Sequence, residues 1–151
     1  MTDHRTATAT LTGIGSLTGH HGGDYLIQMD CDAQRKQQRT WKGRLSLARH
    51  AATYALTQAV TKAALYRVAG HRVHPAAQLA GAVAEGVLHA VIDDGRLLQR
   101  FATVTGKGRF HDLADFGVNG RMLLDQASHQ QLQIPAGIAV TTLVDAWLRR
   151  R

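Results

Sequence analysis

The sequence predicts an all-α protein, a single bundle of four to five helices with a long loop before the last, and three observations carry that expectation. Alanine and leucine, both good helix formers, recur through stretches of helical length. Short polar or glycine-bearing breaks separate these stretches. No alternation at the strand period of two competes with them.

The first helix is expected over 14–38, the second over 45–68, the third over 76–101 and the fourth over 120–148. Residues 1–13 read as a polar, flexible tail, which leaves 14–151 as the one helical domain. In the second stretch Leu47, Tyr54, Ala55, Val60, Ala64 and Leu65 supply an apolar stripe for a core. The break 69–74 is short, so helices two and three are expected to be antiparallel neighbours, with Pro75 early in the third. A longer stretch, 103–119, opens with Thr105-Gly106-Lys107-Gly108 and precedes the fourth helix, which Pro135 should kink near Ile134. Gly13, Gly15, Gly19, Gly22 and Gly23 weaken the first helix. A closely approaching helix, or a bound ion with its ligands, would account for them.

At 151 residues the chain is long enough to bury a core without disulfides. The single Cys31 excludes an intramolecular disulfide and a thiolate cluster, so a metal must bind through nitrogen and oxygen, and a cytoplasmic location is expected. The mean hydropathy is −0.18. The best continuous apolar run, 134–144, is too short to cross a membrane, and Gln58, Lys62 and Glu85 interrupt the others. A soluble protein without a transmembrane span is the expectation.

The net charge is +7. Between Asp32 and Glu85 no acidic residue opposes the cations, which include Arg35, Lys36, Arg39, Lys42 and Arg44. Such a segment suits an anionic small molecule, nucleic acid or peripheral contact with an anionic membrane, and equally a plain solvated face. Aromatic residues for stacking on single-stranded nucleic acid are few there. The alanine-rich faces of helices two and three could also pair two copies of the chain.

The chemistry is carried by one spacing. His20 and Asp24, His89 and Asp93, and Asp125 and His129 are His/Asp pairs four residues apart, each inside an expected helix. Such pairs share a helix face, so one ion can be gripped by both side chains. Chance gives about one pair of this kind in such a chain. A fourth, His111 with Asp115, falls in the long loop. A lone pair is ordinarily a surface hydrogen bond, but three on three helices point to one or two divalent ions, zinc, manganese or iron. His50 reads either as a ligand or proton carrier or as a hydrogen-bonded core histidine, and Asp94 is the other candidate proton carrier. Gln28 and Gln126 are placed to orient the ligands.

The run His20-His21-Gly22-Gly23-Asp24-Tyr25-Leu26-Ile27-Gln28, then Ala33, Lys36 and His50, then His89-Ala90-Val91-Ile92-Asp93, Thr105-Gly106-Lys107 and Leu124-Asp125-Gln126-Ala127-Ser128-His129, resembles domain-of-unknown-function family 3307. These are small helical bacterial proteins, many of them membrane-embedded. The resemblance implies a helical fold and a cluster of polar residues, without an assigned reaction. That family is similar in turn to small membrane proteins described as metal-dependent hydrolases. The charged, interrupted helices of this chain depart from the membrane-embedded pattern.

Two functions are therefore expected. One is a metal-dependent hydrolase acting on a phosphoester or other anion at the His/Asp site. The other is a basic helical module that binds nucleic acid or a protein partner, with the His/Asp pairs structural.

Overall fold

A computed structural model of the chain describes residues 2–115 and 117–151. The described residues form α1 (Thr2–His21), α2 (Asp30–Arg35), α3 (Trp41–Val68), α4 (Pro75–Asp93), α5 (Arg96–Val104), α6 (Gly108–His111), α7 (Gly120–Ser128) and α8 (Ile134–Leu148), with no strand among them. Two wider, π-helical turns extend these helices: Gly22–Ile27 continues α1, and His129–Gln133 joins α7 to α8. Pro135 stands in the first turn of α8. Its missing N–H removes one helical bond where the wide turn begins to tighten.

The expected tail 1–13 is helical from Thr2, with Thr8 and Thr12 buried. Threonine is a weak helix former, but here the Thr8 and Thr12 hydroxyls donate to the carbonyls of His4 (3.0 Å) and Thr8 (2.6 Å), and both face other helices. The first expected helix ends at Ile27 rather than running to Gln38. The third stops at Asp93, where Gly95 takes a left-handed φ of 77° and turns the chain into α5. The loop 103–119 contains the single turn α6.

Four long helices close a ring, α1 on α3, α3 on α4, α4 on α8 and α8 on α1. Buried pairs show that neighbours run antiparallel, as expected for helices two and three. Lys62 meets Glu85 and His50 meets His89 between α3 and α4. The interior is set by a repeat of four. Thr8, Thr12, Ser16, His20 and Asp24 face inward from α1, and Ser46, His50, Tyr54, Gln58, Lys62 and Tyr66 from α3. From α4 come Ala77, Gly81, Glu85, His89 and Asp93, and from the last arm His129, Gln133, Gly137, Thr141 and Asp145. A strict four-residue row is the ridge that seats in the equivalent groove of a neighbouring helix.

These rows are polar or small, so the polarity of the bundle is reversed. Of the apolar stripe expected on the second helix only Tyr54 is buried, while Val60 and Ala64 are exposed. Lys62, Glu85 and Gln58, read in the sequence as interruptions, all point inward. The outside carries Ile14, Leu17, Leu56, Val60, Leu79, Val83, Val87, Val91, Leu132 and Leu143. Against expectation, α4 is long and apolar enough, by length and composition, to cross a membrane, with 19 residues and a mean hydropathy of 1.3.

The glycines of α1 are explained by helix approach. A Cβ on Gly15 or Gly19 would stand 3.1 Å from the Cα of Lys62 or Gln58. Gly19→Val should therefore force α1 from α3 and lower stability by about 1–3 kcal/mol. Gly22→Ala, whose Cβ meets Thr57 at an ordinary 3.5 Å, should be nearly silent by comparison. Thermal unfolding of the two variants side by side checks this.

Inside the bundle, the Glu85 carboxylate takes the Lys62 ammonium on one oxygen and the Ser16 hydroxyl, at 2.7 Å, on the other. The small core of Tyr66, Val73 and Ala77 lies at the far end. There Asp145 accepts from the His74 backbone N–H at 2.7 Å and from Arg149 Nε at 2.8 Å, and its Oδ2 lies 2.9 Å from His4 Nε2.

Candidate metal centre

The inward rows of four run into the His/Asp pairs at the other end of the bundle. Asp24 comes from the wide turn after α1, His50 from α3, and His89 and Asp93 from the last turn and a half of α4. Asp125 comes from α7 and His129 from the wide turn that follows. His50, His89, Asp93 and His129 are essentially sealed from solvent.

The donor atoms converge. His50 Nε2 and His89 Nε2 each lie 3.1 Å from Asp93 Oδ2 and 3.5 Å from Asp24 Oδ1, and 2.9 Å from each other. His129 Nε2 lies 3.5 Å from Asp93 Oδ1 and 3.5 Å from Asp125 Oδ2. Donors held at about 2.0–2.2 Å from one ion stand roughly 2.8–3.6 Å apart around a tetrahedron or octahedron. Three overlapping groups could hold an ion: Asp24, His89 and His129; His50, His89 and Asp93; and Asp93, Asp125 and His129. Asp93 offers one oxygen toward His50 and His89 and the other toward His129. Among the described residues, Asp24 Oδ1, Asp93 Oδ1, Asp125 Oδ1 and His129 Nε2 are buried without a hydrogen-bond partner. Polar atoms buried in this way are costly unless a cation satisfies them.

The surrounding hydrogen bonds fix which imidazole nitrogen faces inward. Gln133 Oε1 can only accept, so the Nδ1–H of His129 (2.6 Å) and of His89 (3.3 Å) donate to it. Their Nε2 atoms then face the carboxylates, and it is through Nε2 that these rings would bind a metal. The Gln133 amide nitrogen donates to the Tyr54 hydroxyl (2.7 Å), as does that of Gln58 (2.7 Å). Tyr54 therefore donates to His20 Nδ1 (3.1 Å), His20 Nε2–H to Gln126 Oε1 (2.9 Å), and Gln126 Nε2 to Asp24 Oδ2 (3.0 Å). The Tyr54 ring stacks on His89 with centroids 3.6 Å apart. Replacing Gln133 by Leu frees both imidazoles to turn, and should weaken metal affinity about 10–100-fold with the fold intact. A competition titration against a chromogenic chelator reads this directly.

Burial alone would raise the Asp24 carboxyl. The imidazoles of His50 and His89, the Gln126 amide and His20 outweigh it and hold the group at about 2. Lys36 reaches in from the mouth, its ammonium 2.9 Å from Asp93 Oδ2. With its amide nitrogen facing the Asp24 carbonyl (3.2 Å), Gln28 accepts from Lys36 Nζ (3.2 Å).

The structure thus brings five of the six expected ligands together, Asp24, His89, Asp93, Asp125 and His129, and adds His50. His20 stands 3.7 Å from Asp24, but both its nitrogens are engaged in hydrogen bonds, so it positions Asp24 through Gln126 rather than facing the cluster. Asp94, expected as a proton carrier, turns outward to Arg96 Nε at 2.6 Å. Of the expected anion-binding residues, Lys36 reaches the cluster and Arg39 lines a cleft beside it. Arg35, Lys42 and Arg44 are exposed and belong to neither. Asp32 accepts from Arg49 Nε (2.8 Å), which holds its carboxyl below the usual range. His111 is bonded to Asp112 (2.7 Å) and not to Asp115. Tyr54 and Gln133 were missed in the sequence, although both continue the rows of four that start from His50 and His129.

Comparison with protein-family models, curated proteins and solved structures returns no match to the chain. The resemblance to family 3307 rests on its motif residues. Asp24, His50, His89, Asp93, Asp125 and His129 among them converge, whereas Thr105-Gly106-Lys107 forms an exposed turn outside the cluster.

Proposed function

We propose that this chain is a metal-dependent hydrolase of phosphoesters or related anions, carried by a bundle that sits in a lipid bilayer. One observation carries the metal reading: Asp93 is shared by two groups of His and Asp donors, and its Oδ1, with Asp24 Oδ1, Asp125 Oδ1 and His129 Nε2, is buried without a hydrogen-bond partner. Asp24, His50 and His89 would hold one ion with Asp93, and Asp125 and His129 a second. A mixed imidazole and carboxylate set suits zinc, manganese or iron. Bound ions supply Lewis-acid polarisation and a hydroxide nucleophile near neutral pH. In hydrolysis the oxygen of water joins phosphorus, the bond to the leaving oxygen breaks, and one proton passes to that oxygen. Lys36 is the cation placed to meet the anion at the mouth. Tyr54, Gln133, His20 and Gln126 hold the ligands in orientation.

The outer surface supports the bilayer. Over 6–23 of α1, 50–66 of α3, 73–92 of α4 and 126–144 of the last arm, the only Asp, Glu, Lys or Arg are Lys62 and Glu85, both buried. Each stretch is roughly 26–30 Å of helix at about 1.5 Å per residue, close to the thickness of a hydrocarbon core. Cations crowd beyond both ends, Arg5, Arg67, Arg72 and Arg149 at one, and Lys36, Lys42, Arg44, Arg96 and Arg121 at the other. A cytoplasmic, freely soluble bundle would leave this belt in water. The charges that seemed to forbid a membrane face the interior, where ionisable groups in membrane proteins are paired and functional.

The test is hydrolysis by protein extracted from washed membranes without chelator. A phosphoester should be cleaved, the activity lost with a strong chelator and restored by manganese or zinc. Activity that survives both chelation and His129→Ala would overturn the hydrolase reading. A chain that leaves the membrane in a carbonate wash and runs as a monodisperse soluble protein would overturn the bilayer.

A further inference from the structure

Beside the cluster, at the rim where the charge-free belt ends, a cleft of about 120 Å³ opens between the start of α5, α7 and the segment before α3. Gln37, Arg39, Asp94, Arg96, His111 and Arg121 line it. Three guanidinium groups face one carboxylate there, and Asp94 is already paired with Arg96. Among the described residues no carboxylate lies within ion-pair distance of Arg39 or Arg121. Arg121 makes only a long contact, 3.4 Å, to Gln37. The cleft adjoins the cluster through three neighbours in the chain. Gln37 follows Lys36, Asp94 follows Asp93, and Arg121 precedes Asp125 by one turn of α7.

The helix α5 adds the second half of the observation. Leu98 and Ala102 dock it on the bundle, Arg96 and Arg100 edge the cleft and its shallow continuation, and Leu97, Phe101 and Val104 stand exposed. A short helix with cations on one side and exposed apolar residues on another matches the boundary between headgroups and acyl chains. A water-soluble phosphate would use the cations and leave the apolar stripe unexplained.

We propose that this cleft binds the phosphate of an anionic membrane lipid and presents its headgroup to the His/Asp cluster, so that the substrate class of the site is an anionic phospholipid; the excess of guanidinium groups disfavours the quaternary ammonium of a zwitterionic headgroup. The catalytic consequence rests on the hydrolase reading above; the binding does not. Arg39 and Arg121 grip the phosphate as charge-assisted donors, and Leu97 and Phe101 lie along the chain that carries it.

The full chain, in nanodiscs of phosphatidylcholine with phosphatidylglycerol and treated with chelator, is released gently and its retained lipid measured by native mass spectrometry. The wild type should retain the anionic lipid over the neutral one. The double variant Arg39→Gln with Arg121→Gln should lose that preference by roughly tenfold or more, with circular dichroism, and the metal content before chelation, unchanged. Equal retention of both lipids by the wild type, or an unchanged preference in the variant, would overturn the lipid site. Displacement by inorganic phosphate at comparable concentration would assign the cleft to soluble phosphates instead, and so would overturn the lipid source. Anionic lipid retained by a chain that never binds metal would leave the cleft standing and remove only the hydrolase.

Discussion

Asp93→Ala should strip the cluster of metal and lower hydrolysis by on the order of 10³-fold or more, at an unchanged helix content. Among the described residues Asp93 is the one side chain with an oxygen in each half of the cluster, so in the proposed two-ion site its loss would take a ligand from both. Several kcal/mol of transition-state stabilisation by a metal correspond to that factor, at about 1.4 kcal/mol for each tenfold. Gln126→Ala touches the same site through Asp24 alone, and should cost only about 10–100-fold in metal affinity. Metal analysis and initial rates on the two variants rank them. Equal, small losses in both would mean that Asp93 is a structural acid.

The second large effect is on stability. Glu85→Ala leaves the buried Lys62 ammonium without its carboxylate and should destabilise the bundle by about 3–5 kcal/mol. The ion pair sits one turn of α4 from His89 along the axis, where Gly137 leaves room for the Glu85 carboxylate. Replacing both partners, Lys62→Met with Glu85→Leu, should recover most of the loss, because no charge is then left unpaired. Unfolding in mild detergent followed by circular dichroism gives both numbers. A single variant within about 0.5 kcal/mol of wild type would show that Lys62 reaches solvent without cost.

Much of the cluster was legible because metal ligation needs particular residue types at a particular spacing. Asp24, His89, Asp93, Asp125 and His129 carry their chemistry in their names, and four residues is one helical turn. His20 broke the rule for a reason that spacing does not express. Tyr54 and Gln126 claim its two nitrogens from other helices. Tyr54 and Gln133 lie on the same four-residue rows, yet Tyr reads as core and Gln as surface until their partners are known.

The fold class was legible for the same reason, and the direction of the helices was not. A helical period tells which residues share a face, but which face turns inward follows from the solvent. In the sequence Lys62 and Glu85 interrupt apolar runs, whereas in the fold each finds its counter-charge on a neighbouring helix. Thr8 and Thr12 looked like a frayed tail because threonine favours helices weakly in water. Once their hydroxyls bond to the preceding turn and to Tyr66, at 2.6 Å from Thr12, the same residues line a polar interior. The turns at Gln28 and Asp94 fell inside expected helices because no proline marks them.

The most direct measurement is the metal content of the full chain, extracted from membranes without chelator or affinity nickel, with X-ray absorption at the edge of whatever metal is found. One to two ions of zinc, manganese or iron per chain, bound by nitrogen and oxygen at about 2.0–2.2 Å and absent from Asp93→Ala, is the expected result. A folded, membrane-retained chain that holds no transition metal, before or after incubation with these ions, would contradict it.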